Sequence, residues 1–115
     1  MPFLEWSDMV TGEPLPGWHA AFFHSAHMTF ALYDIDAGAA ALHEHNHEQE
    51  EVWNVVEGAL EVTVDGVTRT VAAGCAVVVA PWTRHSVTPT GPARAVVADY
   101  PLRPHLPGMG HAHEE

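Results

Sequence analysis

Residues 60–71 have the sequence LEVTVDGVTRTV, in which apolar and polar side chains alternate. Alternation with a period of two predicts a strand with one buried face. Asp65 and Gly66 at the centre favour a type I′ turn, because both central residues of that turn need positive φ. The segment therefore predicts an antiparallel hairpin whose second strand runs from Val67 to Val71.

More short strands are predicted on both sides of this hairpin. A period of two begins at about Met28, where Met28 and Phe30 are expected to face inward. The apolar run 76–80 predicts a strand that is buried on both faces, and residues 85–88 and 93–99 predict two more strands. Many short strands without a sustained helical period are typical of a sandwich or barrel. The sequence therefore predicts an all-β protein.

Composition limits the size of the fold and the class of partner. The 115 residues suffice for one domain, and a hydrophobic content of 47% allows a buried core. The formal charge of −11 argues against nucleic acid or an anionic membrane surface as a partner. The sequence has no long apolar run and no signal-peptide pattern, and it has a single cysteine, Cys75. These features predict a cytoplasmic protein.

The two ends of the chain are expected to lie outside the barrel, which is assigned to residues 28–100. Residues 1–27 are expected to be a lead-in that covers the barrel or a dimer edge, with residues 1–18 irregular apart from one helical turn. Residues 101–115 are expected to be a flexible tail. A small barrel with exposed strand edges favours pairing, which predicts a homodimer. Four aromatic residues of the lead-in are candidates for covering the edge: Phe3, Trp6, Phe22 and Phe23.

Histidine is the unusual residue of this chain, with 10 copies. His43, His45 and His47 occupy alternate positions, so that on a strand they would point to one face. Glu51 returns beside them if the chain turns near residues 48–49. Imidazoles with one carboxylate suit a divalent transition metal such as Zn, Mn, Fe, Ni or Cu rather than Ca or Mg. From the residues alone, a solvated polar loop that binds metal adventitiously is the alternative.

The histidine segment resembles the first motif of the cupin superfamily, which is His-x-His, three or four residues, Glu, six residues and Gly. His45, His47, Glu51 and Gly58 match this spacing. The leading glycine of the family motif is represented by Gly38, which lies one residue farther away than in the family.

A later segment resembles the second motif, Pro-Gly-x-x-His in small members. Pro81 and His85 match, whereas Trp82 replaces the glycine and the trailing Asn is absent. The resemblance covers roughly residues 28–100. It implies a small antiparallel β-barrel or jelly roll, the cupin fold, and it implies four metal ligands: His45, His47, Glu51 and His85.

A second ligand set remains open at this point. The same segment also looks like family members that use His-x-His and a later Gln, which would make the ligands His43, His45, Gln49 and His85. The first set is preferred because Glu51 keeps its spacing to the glycine of the following turn. In that set His43 lies at the rim of the cavity.

Two other side chains are expected near the site. Trp53 shares the face of Glu51 on a strand, so it lines the cavity or packs in the core. Arg84 is adjacent to His85 and could hold one carboxylate of a ligand. If the metal keeps an open position, Glu51 could leave it and act as a catalytic base.

These features favour a small metalloenzyme that acts on a small organic molecule. Iron or copper would suit dioxygenase chemistry, and zinc, manganese or nickel would suit an isomerase. The competing hypothesis is a non-catalytic cupin that binds or senses a small metabolite or metal. A third hypothesis is that the metal only joins strands. The sequence does not select the metal or the substrate.

Overall fold

The computed structural model describes residues 2–104. Within this range a 3₁₀ turn at Trp6–Asp8 precedes ten strands. The strands are β1 (Val10–Leu15), β2 (Trp18–His24), β3 (Thr29–Ile35), β4 (Leu42–His45), β5 (Glu50–Glu57), β6 (Ala59–Val64), β7 (Val67–Ala72), β8 (Ala76–Val79), β9 (His85–Pro89) and β10 (Ala93–Tyr100). No described helix is long and apolar enough to cross a membrane.

The strands form two antiparallel sheets. One has the order β1-β2-β3-β10-β5-β8, and the other has the order β4-β9-β6-β7. Apolar side chains of both sheets form one buried cluster, which includes Trp18 and Val55 from the first sheet and Leu60 and Val87 from the second. The all-β prediction is therefore confirmed. The arrangement is consistent with a jelly roll, with its described strands in two sheets and not in one continuous barrel.

The hairpin predicted from residues 60–71 is present as β6 and β7. Val64 pairs with Val67, so Asp65 and Gly66 alone form the loop. Both loop residues have positive φ, 50° and 81°, as a type I′ turn requires. Leu60 on β6 is fully buried, as its alternation predicts.

The turn between β5 and β6 needs the glycine that the first motif supplies. Gly58 has φ +72°, a conformation that L-residues rarely adopt. A Cβ at this position would lie 2.3 Å from the carbonyl oxygen of Pro92. The close approach of this turn to the chain before β10 therefore excludes a larger residue without a backbone shift.

Two strands differ from the prediction in the face that they bury. In β8 the expectation of burial on both faces is wrong, because β8 is the edge of the six-stranded sheet and Val78 is 62% exposed. In β3 the alternation is confirmed, but the buried residues are Thr29, Ala31 and Ile35, whereas Phe30 faces the other side and is half-buried. That other side of β3 is also apolar, so the pattern alone could not identify the inner face.

The N-terminal region is more regular than expected. The helical turn is present, but the prediction of irregular structure over residues 1–18 is wrong, because β1 pairs with β2 at the edge of the six-stranded sheet. Phe22 is buried in the core and does not cover an edge. Phe23 stacks on Phe30 with ring centroids 4.9 Å apart. Phe3 and Trp6 are exposed.

The chain after β10 returns across the end of the fold. The Gln49 side-chain amide donates to the carbonyl oxygen of Leu102 at 3.0 Å, and the backbone N–H of Arg103 donates to Thr29 Oγ1 at 2.9 Å. The rest of the predicted tail, from residue 105 onward, lies outside the described residues.

Candidate metal centre

The candidate ligands come from both sheets. β4 and β9 are neighbours in the four-stranded sheet, where His45 and His85 are direct partners. His47 follows β4, and Glu51 lies on β5 of the six-stranded sheet. The candidate ligands predicted from two separated segments therefore meet in the interior of the fold.

The three histidines lie close together. Ring centroids are 4.3 Å apart for His45 and His85, 5.0 Å for His47 and His85, and 5.5 Å for His45 and His47. One ring nitrogen from each lies within 4.8 Å of the other two. His85 is fully buried and His45 and His47 are partly buried, so the cluster opens toward solvent on the side of β4.

The tautomer of each imidazole is determined by a backbone carbonyl. His45 Nδ1 lies 2.8 Å from the His43 carbonyl oxygen, His47 Nδ1 lies 3.1 Å from that of Gln49, and His85 Nδ1 lies 2.8 Å from that of Thr83. A carbonyl oxygen only accepts, so each Nδ1 carries the proton and donates it. In the neutral imidazole each Nε2 therefore keeps its lone pair, which is the form that binds a metal.

Glu51 lies at the base of the cluster. It is 4% exposed, and the Trp53 indole N–H donates to its Oε1 at 2.7 Å. Its Oε1 is 3.1 Å from His85 Nε2, and its Oε2 is 3.7 Å from His47 Nε2. When His85 is neutral, its Nε2 has no hydrogen to donate, so two lone pairs face each other at 3.1 Å. A proton or a metal ion between them removes this repulsion.

The donor set fits a divalent transition metal. Donor atoms that share one such ion at about 2.0–2.2 Å lie roughly 3–4 Å apart, which matches the separations from Glu51 to His85 and His47. In the neutral form of His47 and His85, the buried Nε2 atom has no hydrogen-bond partner. Three imidazole nitrogens with one carboxylate suit Zn, Mn, Fe, Ni or Cu.

Two residues that were not predicted complete the centre. Asp99 on β10 is the cross-strand partner of Glu51 and is 3% exposed. Arg103 Nη1 lies 3.5 Å from Glu51 Oε2 and 3.6 Å from Asp99 Oδ2. Asp99 also belongs to a second group of potential ligands, together with His47 and Glu51. The centre therefore holds a pair of buried carboxyl groups and one guanidinium.

The two carboxyl groups have opposite pKa shifts. Burial alone would raise the pKa of Glu51, but hydrogen bonds from the doubly protonated form of His85, from Asp99 and from Trp53 prevail and lower it to about 2. Burial and the adjacent charge of Glu51 raise the pKa of Asp99 to about 8. In the metal-free protein at neutral pH, Asp99 is therefore the protonated member of the pair and Glu51 is the carboxylate.

His47 and His85 also differ in the direction of their pKa shifts. Burial lowers the pKa of His47, and the charge of Arg103 acts in the same direction. Burial also lowers the pKa of His85, but hydrogen bonds to Glu51 and to the Thr83 carbonyl outweigh it, so the net shift is upward. His85 is therefore the histidine on which a proton competes most strongly with a metal ion.

Other residues singled out in the sequence lie outside the cluster. His43 is exposed. Gln49 is buried, but its amide is used by the Leu102 carbonyl. Trp53 is a core residue, stacked on Tyr33 with centroids 6.0 Å apart, and it reaches the site through its hydrogen bond to Glu51. Arg84 is exposed and pairs with Glu44 at 3.5 Å.

The sequence carried a signal for Asp99 but none for Arg103. Ala93, Ala95 and Val97 alternate toward the core, and the same parity continues to Asp99. An acidic residue at an inward position of a predicted strand indicates a functional group. Arg103 lies in a proline-containing segment without periodicity, where no pattern predicts the direction of a side chain.

Comparison with known proteins gives the same fold. The family model with the description "Cupin domain" matches residues 31–99. A search of curated protein sequences finds no match. Among solved structures, an RmlC-like cupin from Shewanella frigidimarina NCIMB 400 has 23% identity and a TM-score of 0.80, with 90% of this chain and 93% of that chain covered.

Two other solved structures illustrate the range of relatives. KdgF from Halomonas sp. has 24% identity and a TM-score of 0.78, with 88% of this chain and 95% of that chain covered. A Bacillus subtilis oxalate decarboxylase, described as having Mn(II) centres, has 16% identity and a TM-score of 0.74, with 85% of this chain but only 29% of that chain covered. At these identities the likeness shows the fold alone.

Proposed function

The chain belongs to the cupin domain family, and from that premise we propose that it is a small metalloenzyme. A divalent transition metal is held by His45, His47, Glu51 and His85, and the substrate is a small organic molecule. The observation that carries the proposal is the orientation of the three imidazoles. Each donates its Nδ1–H to a backbone carbonyl and directs an unprotonated Nε2 to a shared space.

The protein contributes orientation and charge to the chemistry. When bound, the metal supplies Lewis-acid polarisation, or oxygen chemistry if it is iron or copper. Trp53 holds Glu51 by a 2.7 Å hydrogen bond, so the carboxylate keeps one orientation. In the metal-free protein, Asp99 holds a proton next to Glu51. If Glu51 leaves the metal, it accepts a proton from the substrate as a general base.

Elemental analysis of the purified protein tests the ligand set. His45→Ala and His85→Ala are expected to lose the metal, whereas His43→Ala is the matched control and is expected to keep it. Loss of metal in His43→Ala with retention in His47→Ala would instead support the set with His43 and Gln49. Wild-type protein that contains no stoichiometric transition metal, and takes up none after dialysis against it, would refute the proposal.

A second candidate function is a non-catalytic cupin that binds a small metabolite. It is favoured by a cavity of about 700 Å³ on the outer face of the six-stranded sheet, lined in part by Leu32, Tyr33 and Val96 and by none of the candidate ligands. Turnover separates the two functions. Removal of the metal abolishes product formation by an enzyme, whereas a binding protein retains its ligand in air and releases no product.

We also propose that the protein is a homodimer. Phe3 is 78% exposed, Trp6 is 64% exposed and Val56 is 46% exposed. Trp6 and Val56 both line the outer cavity. Large apolar side chains that surround an apolar groove favour burial against another surface. A second copy of the chain is the partner that protects this face.

A further inference from the structure

Arg103 has hydrogen-bond donors that the described part of the chain does not use. Its Nη1 lies 3.5 Å from Glu51 and 3.6 Å from Asp99, which is long for a charge-assisted hydrogen bond. No described residue accepts from its Nε or Nη2. A guanidinium presents five N–H groups in a planar fork that matches a carboxylate. Arg103 therefore retains donors for a planar anion beside the metal centre.

The charge of the loaded centre also favours an anion. With each Nε2 used as a metal ligand, the three histidines are neutral, because each keeps only the proton on Nδ1. A divalent ion balances Glu51 and Asp99 even when both are ionised, so the positive charge of Arg103 remains uncompensated. A neutral ligand would leave this surplus in a largely buried site, whereas a monoanion would neutralise it.

The geometry allows a ligand to meet both groups. Glu51, Asp99 and His85 form the buried side of the centre, with exposures of 4%, 3% and 1%. Solvent reaches it at His45, which is partly exposed, and at Arg103, whose side chain is 22% exposed. Arg103 Nη1 is 3.5 Å from Glu51 Oε2, which in turn is 3.7 Å from His47 Nε2, so a ligand bound to Arg103 lies beside the candidate metal ligands.

The position of Arg103 is fixed by its own backbone. Its N–H donates to the fully buried Thr29 Oγ1, and the preceding carbonyl, of Leu102, accepts from Gln49. A side chain on an ordered segment loses little freedom on binding, so its hydrogen bonds contribute more to affinity. The other three arginines of the chain, Arg69, Arg84 and Arg94, are exposed.

We infer that Arg103 and the metal together bind a small carboxylate anion, and that Arg103 determines the preference of the site for carboxylates. The inference rests on the proposed function and narrows its substrate class to organic acids. One carboxylate oxygen would contact the metal, and the guanidinium donates N–H groups to the other oxygen. Arg84, which the sequence suggested for this role, pairs with Glu44 at the surface.

Titration of Co(II)-loaded protein with acetate and with its neutral isostere acetamide tests this inference. Visible absorption of the bound cobalt reports ligand binding without any turnover. Loss of charge-assisted hydrogen bonds in Arg103→Gln is expected to raise the Kd for acetate by about 10- to 100-fold, with the Kd for acetamide within about twofold. Arg94→Gln is the matched control and is expected to bind both as wild type does.

Two further measurements test the inference if Arg103→Gln does not fold. Arg103→Lys keeps the charge and loses the fork, and it is expected to bind acetate with intermediate affinity. In the wild type, acetate is expected to shift the Arg103 Nε–Hε NMR signal. Equal acetate affinity in wild type and Arg103→Gln, or an NMR signal that does not respond to bound acetate, would overturn the inference. Failure to take up Co(II) would instead refute the proposed metal centre.

Discussion

Replacing Trp53 with Phe is expected to weaken metal binding, although Trp53 is not a ligand. The indole N–H donates to Glu51 Oε1 at 2.7 Å, and Phe lacks this donor. The remaining ring can still stack on Tyr33, as Trp53 does at a centroid distance of 6.0 Å. The substitution therefore removes mainly the group that orients Glu51.

Trp18 provides a closely matched control. It is 1% exposed, Trp53 is 2% exposed, and the two rings contact each other with centroids 6.1 Å apart. The Trp18 indole N–H also makes one hydrogen bond, at 2.8 Å, but its acceptor is the carbonyl oxygen of Ala40. Trp18→Phe therefore makes a similar change in the core without releasing a metal ligand.

The expected magnitudes separate structure from metal binding. Each variant loses a buried hydrogen bond and part of a ring, which costs about 2–4 kcal/mol in the free energy of unfolding. Loss of a group that orients a ligand typically lowers metal affinity by about 10- to 100-fold, and this effect is expected only for Trp53→Phe. Urea denaturation measures stability, and competition with a chromophoric chelator measures metal affinity. Equal metal affinity in the two variants would refute the assigned role of Trp53.

Three further predictions concern pH, the fold and assembly. In chelator-treated protein, the folded state retains the Asp99 proton up to a pKa of about 8, so the free energy of unfolding falls as pH rises from about 4 to 8, by up to ~1.4 kcal/mol per pH unit. Asp99→Asn is expected to flatten this slope in urea denaturation, and an unchanged slope would contradict the shift. Gly58→Ala is expected to lower thermal stability more than Gly74→Ala, because both glycines have positive φ but only the first has a backbone atom within 3 Å of the new Cβ; equal losses would contradict the close approach. Sedimentation analysis is expected to show a dimer that Trp6→Ala weakens, whereas Trp82→Ala, equally exposed at 64%, leaves it intact; a monomeric wild type would refute the homodimer.

The parts of the fold that the sequence predicted are those with a local cause. Asp65 and Gly66 specify a turn by their own backbone preferences, and the strands beside them follow from alternation. The local sequence does not determine which face of β3 is buried, because both faces are partly apolar. Exposure of β8 follows from its place at the edge of a sheet, which is a property of the assembled topology.

The residues of the site also divide into those that the local sequence predicted and those that depend on the assembled sheet. The motif spacing predicted His45, His47, Glu51 and His85, three of which have ring nitrogens within 4.8 Å of one another. Asp99 enters the centre only because the register of β10 against β5 makes it the partner of Glu51. Pairing register between distant segments depends on the whole sheet, so an inward parity could suggest Asp99 as buried but not identify its partner.

A bulge in β4 explains why His43 is exposed although it alternates with His45 in the sequence. Leu42 is paired with Val87, and His45 is paired with His85, so an interval of three residues on β4 faces an interval of two on β9. In a regular strand, residues three apart point to opposite faces. The extra residue lets Leu42 pack against the core and His45 join the metal centre, while His43 is exposed. Because of this bulge, the four residues of β4 contribute a core side chain at one end, Leu42, and a candidate metal ligand at the other, His45. The bulge depends on pairing with β9, a partner some forty residues later in the chain.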